Sequence, residues 1–192
     1  MINDLLCGAV DPRVPNYIPD EWQRRLLDVV DRNHSALVSA PTSSGKSFVA
    51  FYCMSKCLRK NDSDVCVYVA PTKALVNQVY IDVIGRFRKS YKKGQLVASW
   101  TRDQKSCRDP LTAQILVTVP QILEMLCLSA LQNSSTGWVS RIRWIIFDEV
   151  HQMSAEGSNA EWESLLVLSP APFVALSATL GNTDHFHSWL KV

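Results

Sequence analysis

Ala36-Leu37-Val38-Ser39-Ala40-Pro41-Thr42-Ser43-Ser44-Gly45-Lys46-Ser47-Phe48 is the stretch on which the reading of this chain turns. A short apolar run, a loop of small and hydroxylated residues, and Gly-Lys-Ser opening a helical segment have the order of a phosphate-binding loop. Backbone N–H groups at a helix N-terminus, with the helix dipole behind them, cradle phosphate oxygens. Thr42, Ser43, Ser44 and Gly45 supply that cradle, the Lys46 ammonium neutralises the β- and γ-phosphates, and the Ser47 hydroxyl is placed to ligate Mg²⁺. Ala40 stands where a first glycine is usual, which is tolerable if that position needs no positive φ. The competing reading, an ordinary strand-to-helix turn with a surface lysine, is outweighed by the flanking elements.

Outward from this loop the chain repeats one grammar. Pro19 begins a helix whose buried side is Trp22, Leu26, Leu27, Val29 and Val30; residues 1–16, with Pro12 and Pro15, form an irregular lead-in. A helix over Phe48–Arg59 follows the loop. Val65–Ala70 is a continuous apolar strand, and Lys73 to about Tyr91 a long helix. Further strands are expected over Leu96–Trp100, Ile115–Val119, Ile142–Phe147 and Phe173–Ser177, with helices at Pro120 to about Leu131 and Asp184–Leu190. Strands apolar on both faces and alternating with helices predict an α/β fold, a three-layer, doubly wound parallel sheet. Ligands in such sheets sit beyond the carboxyl ends of the strands.

The composition suits one domain: 192 residues, 47% hydrophobic and 20% charged. It excludes a disordered tail or a collagen-like fibre. No run approaches the ~20 apolar residues of a membrane span, since Trp144–Phe147 stops at Asp148. The first ten residues do not read as a secretory signal, so the default expectation is intracellular, cytoplasmic with the nucleus left open. A net charge of +2 is too small to argue for nucleic acid alone. Six cysteines without a Cys-x-x-Cys pair read as reduced, mostly buried thiols, and Cys53 and Cys57 lack the two further ligands that zinc needs.

The second chemical signal is Asp148-Glu149-Val150-His151, directly after an apolar strand. Two adjoining acids at a strand tip are expensive without a cation, and a Mg²⁺-nucleotide supplies one. Asp148 fits as the carboxylate that holds the metal's water shell, and Glu149 as the base that orients and activates the attacking water. Taken alone an Asp-Glu pair after a strand is more often a solvated loop; the phosphate loop upstream reverses that preference.

With these residues in place the chain resembles the first RecA-like domain of a superfamily 2 helicase of the DExH-box class, over roughly Tyr17 to Val192. Ala40–Ser47 resembles motif I, Pro71-Thr72-Lys73-Ala74-Leu75 motif Ia, Thr118-Val119-Pro120 motif Ib, Asp148–His151 motif II and Ser177-Ala178-Thr179 motif III, all in the family's order. Leu176–Asn182 is similar to the superkiller-like RNA helicase branch. Within it, Ala40–Ser47, Thr101-Arg102-Asp103 and Phe186–Leu190 look most like the large antiviral DExD/H-box helicases and their lower-eukaryote relatives. The resemblance implies a RecA-like P-loop NTPase domain that uses ATP and Mg²⁺. It implies that Tyr17 stacks on the adenine and Gln23 reads its edge; the competing reading is a helix-surface Gln beside a packing Tyr. Pro71, Thr72 and Lys73 would hold the sugar-phosphate backbone of single-stranded RNA, and so would Thr118 unless it merely caps a helix. Ser177 and Thr179 would couple motif II to RNA, and His151 would meet a second RecA-like domain. That second domain supplies arginines to the γ-phosphate, so this domain alone is expected to be nearly idle as an ATPase.

Two departures bear on RNA contact. Many relatives have Thr-Gly-Asp where this chain has Thr101-Arg102-Asp103, and superkiller-like proteins carry Arg-Gly where Ser158-Asn159 stands. Arg86, Arg88, Lys89, Lys92 and Lys93 with Phe87 and Tyr91 resemble a basic-aromatic RNA patch, but cations at a helix C-terminus are favoured by the dipole in any case. His185 and His187 read as capping or packing groups, and Arg102, Lys105 and Arg108 as a solvent-facing loop. Two other functions stay open at this point: a nucleotide-switched RNA-sensing adaptor without unwinding activity, and a DNA helicase of the same superfamily.

Overall fold

The strand Val65–Val69 is buried at all five positions, and its alternate side chains feed two different cores. Val65, Val67 and Val69 pack in one cluster with Leu123, Cys127, Ile145 and Phe147. Cys66 and Tyr68 pack on the opposite face with Cys53, Met54, Val76 and Val83. A strand with this pattern needs helices on both sides. The computed structural model, which describes residues 10–15, 18–41, 45–89, 91, 94–132, 137–150 and 164–178, supplies them. In chain order the elements are α1 (Glu21–Asp31), β1 (Ala36–Ser39), α2 (Ser47–Lys60), β2 (Val65–Val69), α3 (Lys73–Arg86), β3 (Val97–Trp100), β4 (Ile115–Thr118), α4 (Pro120–Gln132), β5 (Ile142–Phe147) and β6 (Phe173–Ser177). Helices α1, α2 and α3 cover one face of the sheet and α4 the other, which makes the three layers expected from the sequence.

All six described strands are parallel, in the order β1-β6-β5-β2-β4-β3. The chain leaves β1 at one edge for β2, runs out to β3 at the other edge and returns through β4. It then inserts β5 and β6 into the space left between β2 and β1. This order brings the loops after β1, β6, β5 and β2 side by side at one end of the sheet, although most of the chain separates the first from the third. No described helix is long and apolar enough to cross a membrane.

Two helix boundaries differ from the sequence expectation. Helix α1 starts at Glu21, not Pro19, because Asp20 caps it: the Asp20 side chain accepts from the Gln23 backbone while Gln23 Oε1 accepts from the Asp20 N–H at 2.9 Å. Helix α3 stops at Arg86 instead of continuing to Tyr91, with Phe87 already extended (φ −104°, ψ 115°). Tertiary partners claim the expected last turn. The Phe87 ring lies 6.4 Å from that of Phe51, and Arg86 sits over the Phe51 ring at 4.4 Å. Lys89 Nζ donates to Leu58 O, Asp62 Oδ1 and Gln114 Oε1 at 2.8, 2.5 and 3.1 Å. The Tyr91 hydroxyl donates to Thr112 O at 3.0 Å. These residues of the basic-aromatic stretch therefore tie α3 to the body of the domain. Lys105 lies over the Trp100 ring at 3.9 Å and, like Arg102 and Arg108, is exposed.

The described part of the lead-in is anchored as well. Asp11 is buried and accepts from Arg13 Nε and Nη2, while Arg13 Nη1 donates to Asp28 and Asp31 of α1. The five described cysteines are unpaired, and Cys53, Cys57, Cys66 and Cys127 are buried. Burial pushes the Cys57 thiol up to about 12 and the Cys127 thiol to about 11, so both stay protonated at neutral pH. The helix expected over Asp184–Leu190, with His185 and His187, lies outside the described residues.

Candidate functional site

The loop between β1 and α2 turns through Gly45 at φ +77°, a conformation that side-chain-bearing residues rarely adopt. Ala40, by contrast, is not among the residues with positive φ, and its N–H donates to Ser177 O at 3.1 Å. Lys46 enters α2 with only 5% of its surface exposed, and its Nζ has no hydrogen-bond partner among the described residues. A buried ammonium costs several kcal/mol unless an anion meets it. Ser47 is the first residue of α2. Together these residues fit a polyphosphate: an unsatisfied cation, a hydroxyl and a helix N-terminus converge on one loop. Thr42, Ser43 and Ser44 lie outside the described residues.

At the tip of β5, the Asp148 N–H donates to Val69 O at 2.9 Å, which carries the acid across to the neighbouring strand β2. Both oxygens of its carboxylate are held. Oδ1 accepts the Glu149 N–H at 3.0 Å, and Oδ2 accepts the Tyr68 hydroxyl at 2.5 Å. Burial raises the Asp148 carboxyl above the ordinary range; the Tyr68 hydrogen bond opposes that, the Glu149 charge adds to it, and the Lys46 charge opposes it. Burial, followed by the Asp148 charge, pushes the Tyr68 phenol well above its usual value. Glu149 itself adopts φ +49°, in the left-handed region.

Gln23 is fully buried on the inner face of α1 beside Leu27 and Val30, so it is not a helix-surface residue. Tyr17, its expected companion, and His151 lie outside the described residues.

The tips of β2 and β4 differ from each other. Pro71, Thr72 and Lys73 follow β2 in exposed or half-buried positions, and Thr72 caps α3 by accepting the Leu75 N–H at 3.3 Å. Lys73 forms an ion pair with Asp103. Thr118 is fully buried, and its hydroxyl donates to Trp100 O on β3 at 2.7 Å. The structure thus does not bring Thr118 to the surface beside Pro71, Thr72 and Lys73. Ser177 closes β6, is fully buried, and pairs in register with Ser39 of β1. It stands between the strand that carries the phosphate loop and the strand that carries the acids. Thr179 lies outside the described residues.

Residues 20–186 match the family model of the DEAD/DEAH box helicases. The chain belongs to that family. Among this helicase domain's relatives is an uncharacterized helicase of Dictyostelium discoideum, 49% identical over 192 aligned positions, which cover 96% of this chain and 10% of the relative. A human protein named probable ATP-dependent RNA helicase DDX60-like is 48% identical over 182 positions, covering 94% of this chain and 10% of its own. The helicase domain described here spans about a tenth of the length of these curated relatives. The crystal structure of the helicase MrfA bound to DNA superposes with a TM-score of 0.69 at 20% identity, over 94% of this chain and 28% of that one. That likeness is one of fold, a RecA-like helicase domain.

Two features of this helicase site were not read from the sequence. Tyr68 carries the only hydroxyl in the apolar strand Val65–Val69, a signal that was available. The left-handed backbone of Glu149 has no counterpart in residue type, since glutamate does not favour that region.

Proposed function

We propose that this domain is the ATP-binding first RecA-like half of a DExH-box RNA helicase and couples ATP hydrolysis to the gripping of single-stranded RNA. The observation that carries the reading is the buried Lys46 ammonium, which has no acceptor among the described residues while its charge acts on Asp148. A triphosphate in the loop satisfies Lys46 and the N–H groups at the start of α2. Ser47 and Asp148 would hold Mg²⁺, Asp148 through water, and the ion would offset the phosphate charge. Glu149 orients the attacking water and accepts its proton. Gln23, its Oε1 held by the Asp20 N–H, would read the edge of the base, and Tyr17 would stack on it. Pro71, Thr72 and Lys73 hold the RNA backbone without reading sequence, with Lys73 exchanging its Asp103 partner for phosphate. Ser177 and Thr179 link the two sites, and His151 meets a second RecA-like domain. That domain supplies the arginine worth about 10³–10⁵ in rate. A cytoplasmic location accompanies this reading.

The test is ATP turnover by the protein extended through its second RecA-like domain, alone and with single-stranded RNA or DNA, beside Glu149→Gln. Turnover that RNA stimulates and Glu149→Gln abolishes supports the proposal. Equal or stronger stimulation by DNA reassigns the nucleic acid. Nucleotide binding without turnover under any condition leaves a switch in place of a motor.

A further inference from the structure

We propose that Tyr68 is a positioning residue of the nucleotide site: its hydroxyl fixes the Asp148 carboxylate in the orientation that receives the hydrated divalent cation. The inference rests on the reading of Asp148 as the metal's carboxylate. Tyr68 lies on β2, in register with Ile146 of β5, two residues before Asp148. Two residues of parallel strand rise roughly 6.6 Å. Only a side chain of tyrosine length that leans along the strand can close that gap from this position, and its hydroxyl reaches Asp148 Oδ2 at 2.5 Å. The residue is 4% exposed, so its ring is clamped in the core shared by α2 and α3.

The ionised carboxylate is acceptor-only, so the phenol must be the donor, and a charged acceptor makes the bond short and strong. The Glu149 N–H on Oδ1 and the Tyr68 hydroxyl on Oδ2 together remove rotation about the last side-chain bond. Each oxygen keeps a lone pair for the hydrogens of metal-bound water. Partners of this kind behind a metal-binding carboxylate are worth about 10–100-fold in metal affinity. Phenylalanine at position 68 would fill the same core volume and lose only this donor.

The experiment titrates Mg²⁺ into the protein with a fluorescent ADP derivative already bound, for the unaltered chain, Tyr68→Phe and Asp148→Asn. Affinity for the derivative is also measured without Mg²⁺. The expected result for Tyr68→Phe is a half-saturating Mg²⁺ concentration raised about ten-fold, with Mg²⁺-free affinity unchanged. An unchanged Mg²⁺ titration, with Asp148→Asn shifted, overturns the role of Tyr68 and leaves that of Asp148 intact. A loss of Mg²⁺-free affinity in Tyr68→Phe also overturns it, because the hydroxyl is then part of the general packing. If Asp148→Asn shifts nothing, the underlying assignment of Asp148 falls, and the role of Tyr68 with it.

Discussion

Lys46 holds a buried ammonium with no acceptor among the described residues, an arrangement that costs the ligand-free fold and favours the nucleotide-bound one. Lys46→Met keeps most of the stem and removes the charge. The ligand-free protein is expected to gain about 1–3 kcal/mol, read as a higher melting temperature, and to lose the further rise that nucleotide produces. A lower melting temperature without nucleotide would mean that the ammonium is already satisfied. Glu149 shows the same trade in backbone form. A left-handed non-glycine residue costs about 1–3 kcal/mol and persists where the surroundings impose it. Glu149 holds it directly after Phe147 and Asp148 at the tip of the buried strand β5. Asp-Glu at a strand tip was legible as a pair of acids; that one of them turns the backbone over was not, because the conformation follows from its neighbours and not from its side chain.

Helix α3 ends where packing takes over from periodicity. Lys89 donates to three acceptors that come from the end of α2, the loop after it and the residue just before β4. Lys89→Ala is expected to cost about 1–3 kcal/mol, since it leaves the buried Gln114 short of a partner. The salt dependence of RNA binding should stay the same. A shallower salt slope with unchanged stability would instead place Lys89 in the RNA interface. The clasp before α1 makes a different prediction. The Arg13 hydrogen bond holds the Asp11 carboxyl at about 2, below its ordinary 3.8. A depressed carboxyl stabilises the fold above its ordinary value and loses that contribution as pH falls through the lower one. The melting-temperature gap between the unaltered protein and Asp11→Asn should therefore be full above pH 4 and shrink toward pH 2. A gap that does not vary with pH would refute the ion pair as its source.

Across the whole molecule, the core and the site share one strand. Phe147 is fully buried, meets Phe173 edge-on at 5.8 Å, and immediately precedes Asp148. Phe147→Ala is expected to lower stability by about 3–5 kcal/mol in urea unfolding. Ile81→Ala, at a position 67% exposed on α3, should stay within about 0.5 kcal/mol. Comparable losses at both positions would contradict the described core. The strand–loop–helix grammar, the six strands and the residue types of the phosphate loop and acid pair were legible in the sequence, because each is a local pattern of apolar runs, glycine and charge. Tertiary structure alone decided which strand tips become neighbours: β5 and β6 insert between β2 and β1, and that brings Asp148 within electrostatic reach of Lys46. It also buried Thr118 and Gln23, ended α3 early and set Tyr68 against Asp148. These depend on the order and register of strands distant in the chain, which no local pattern encodes.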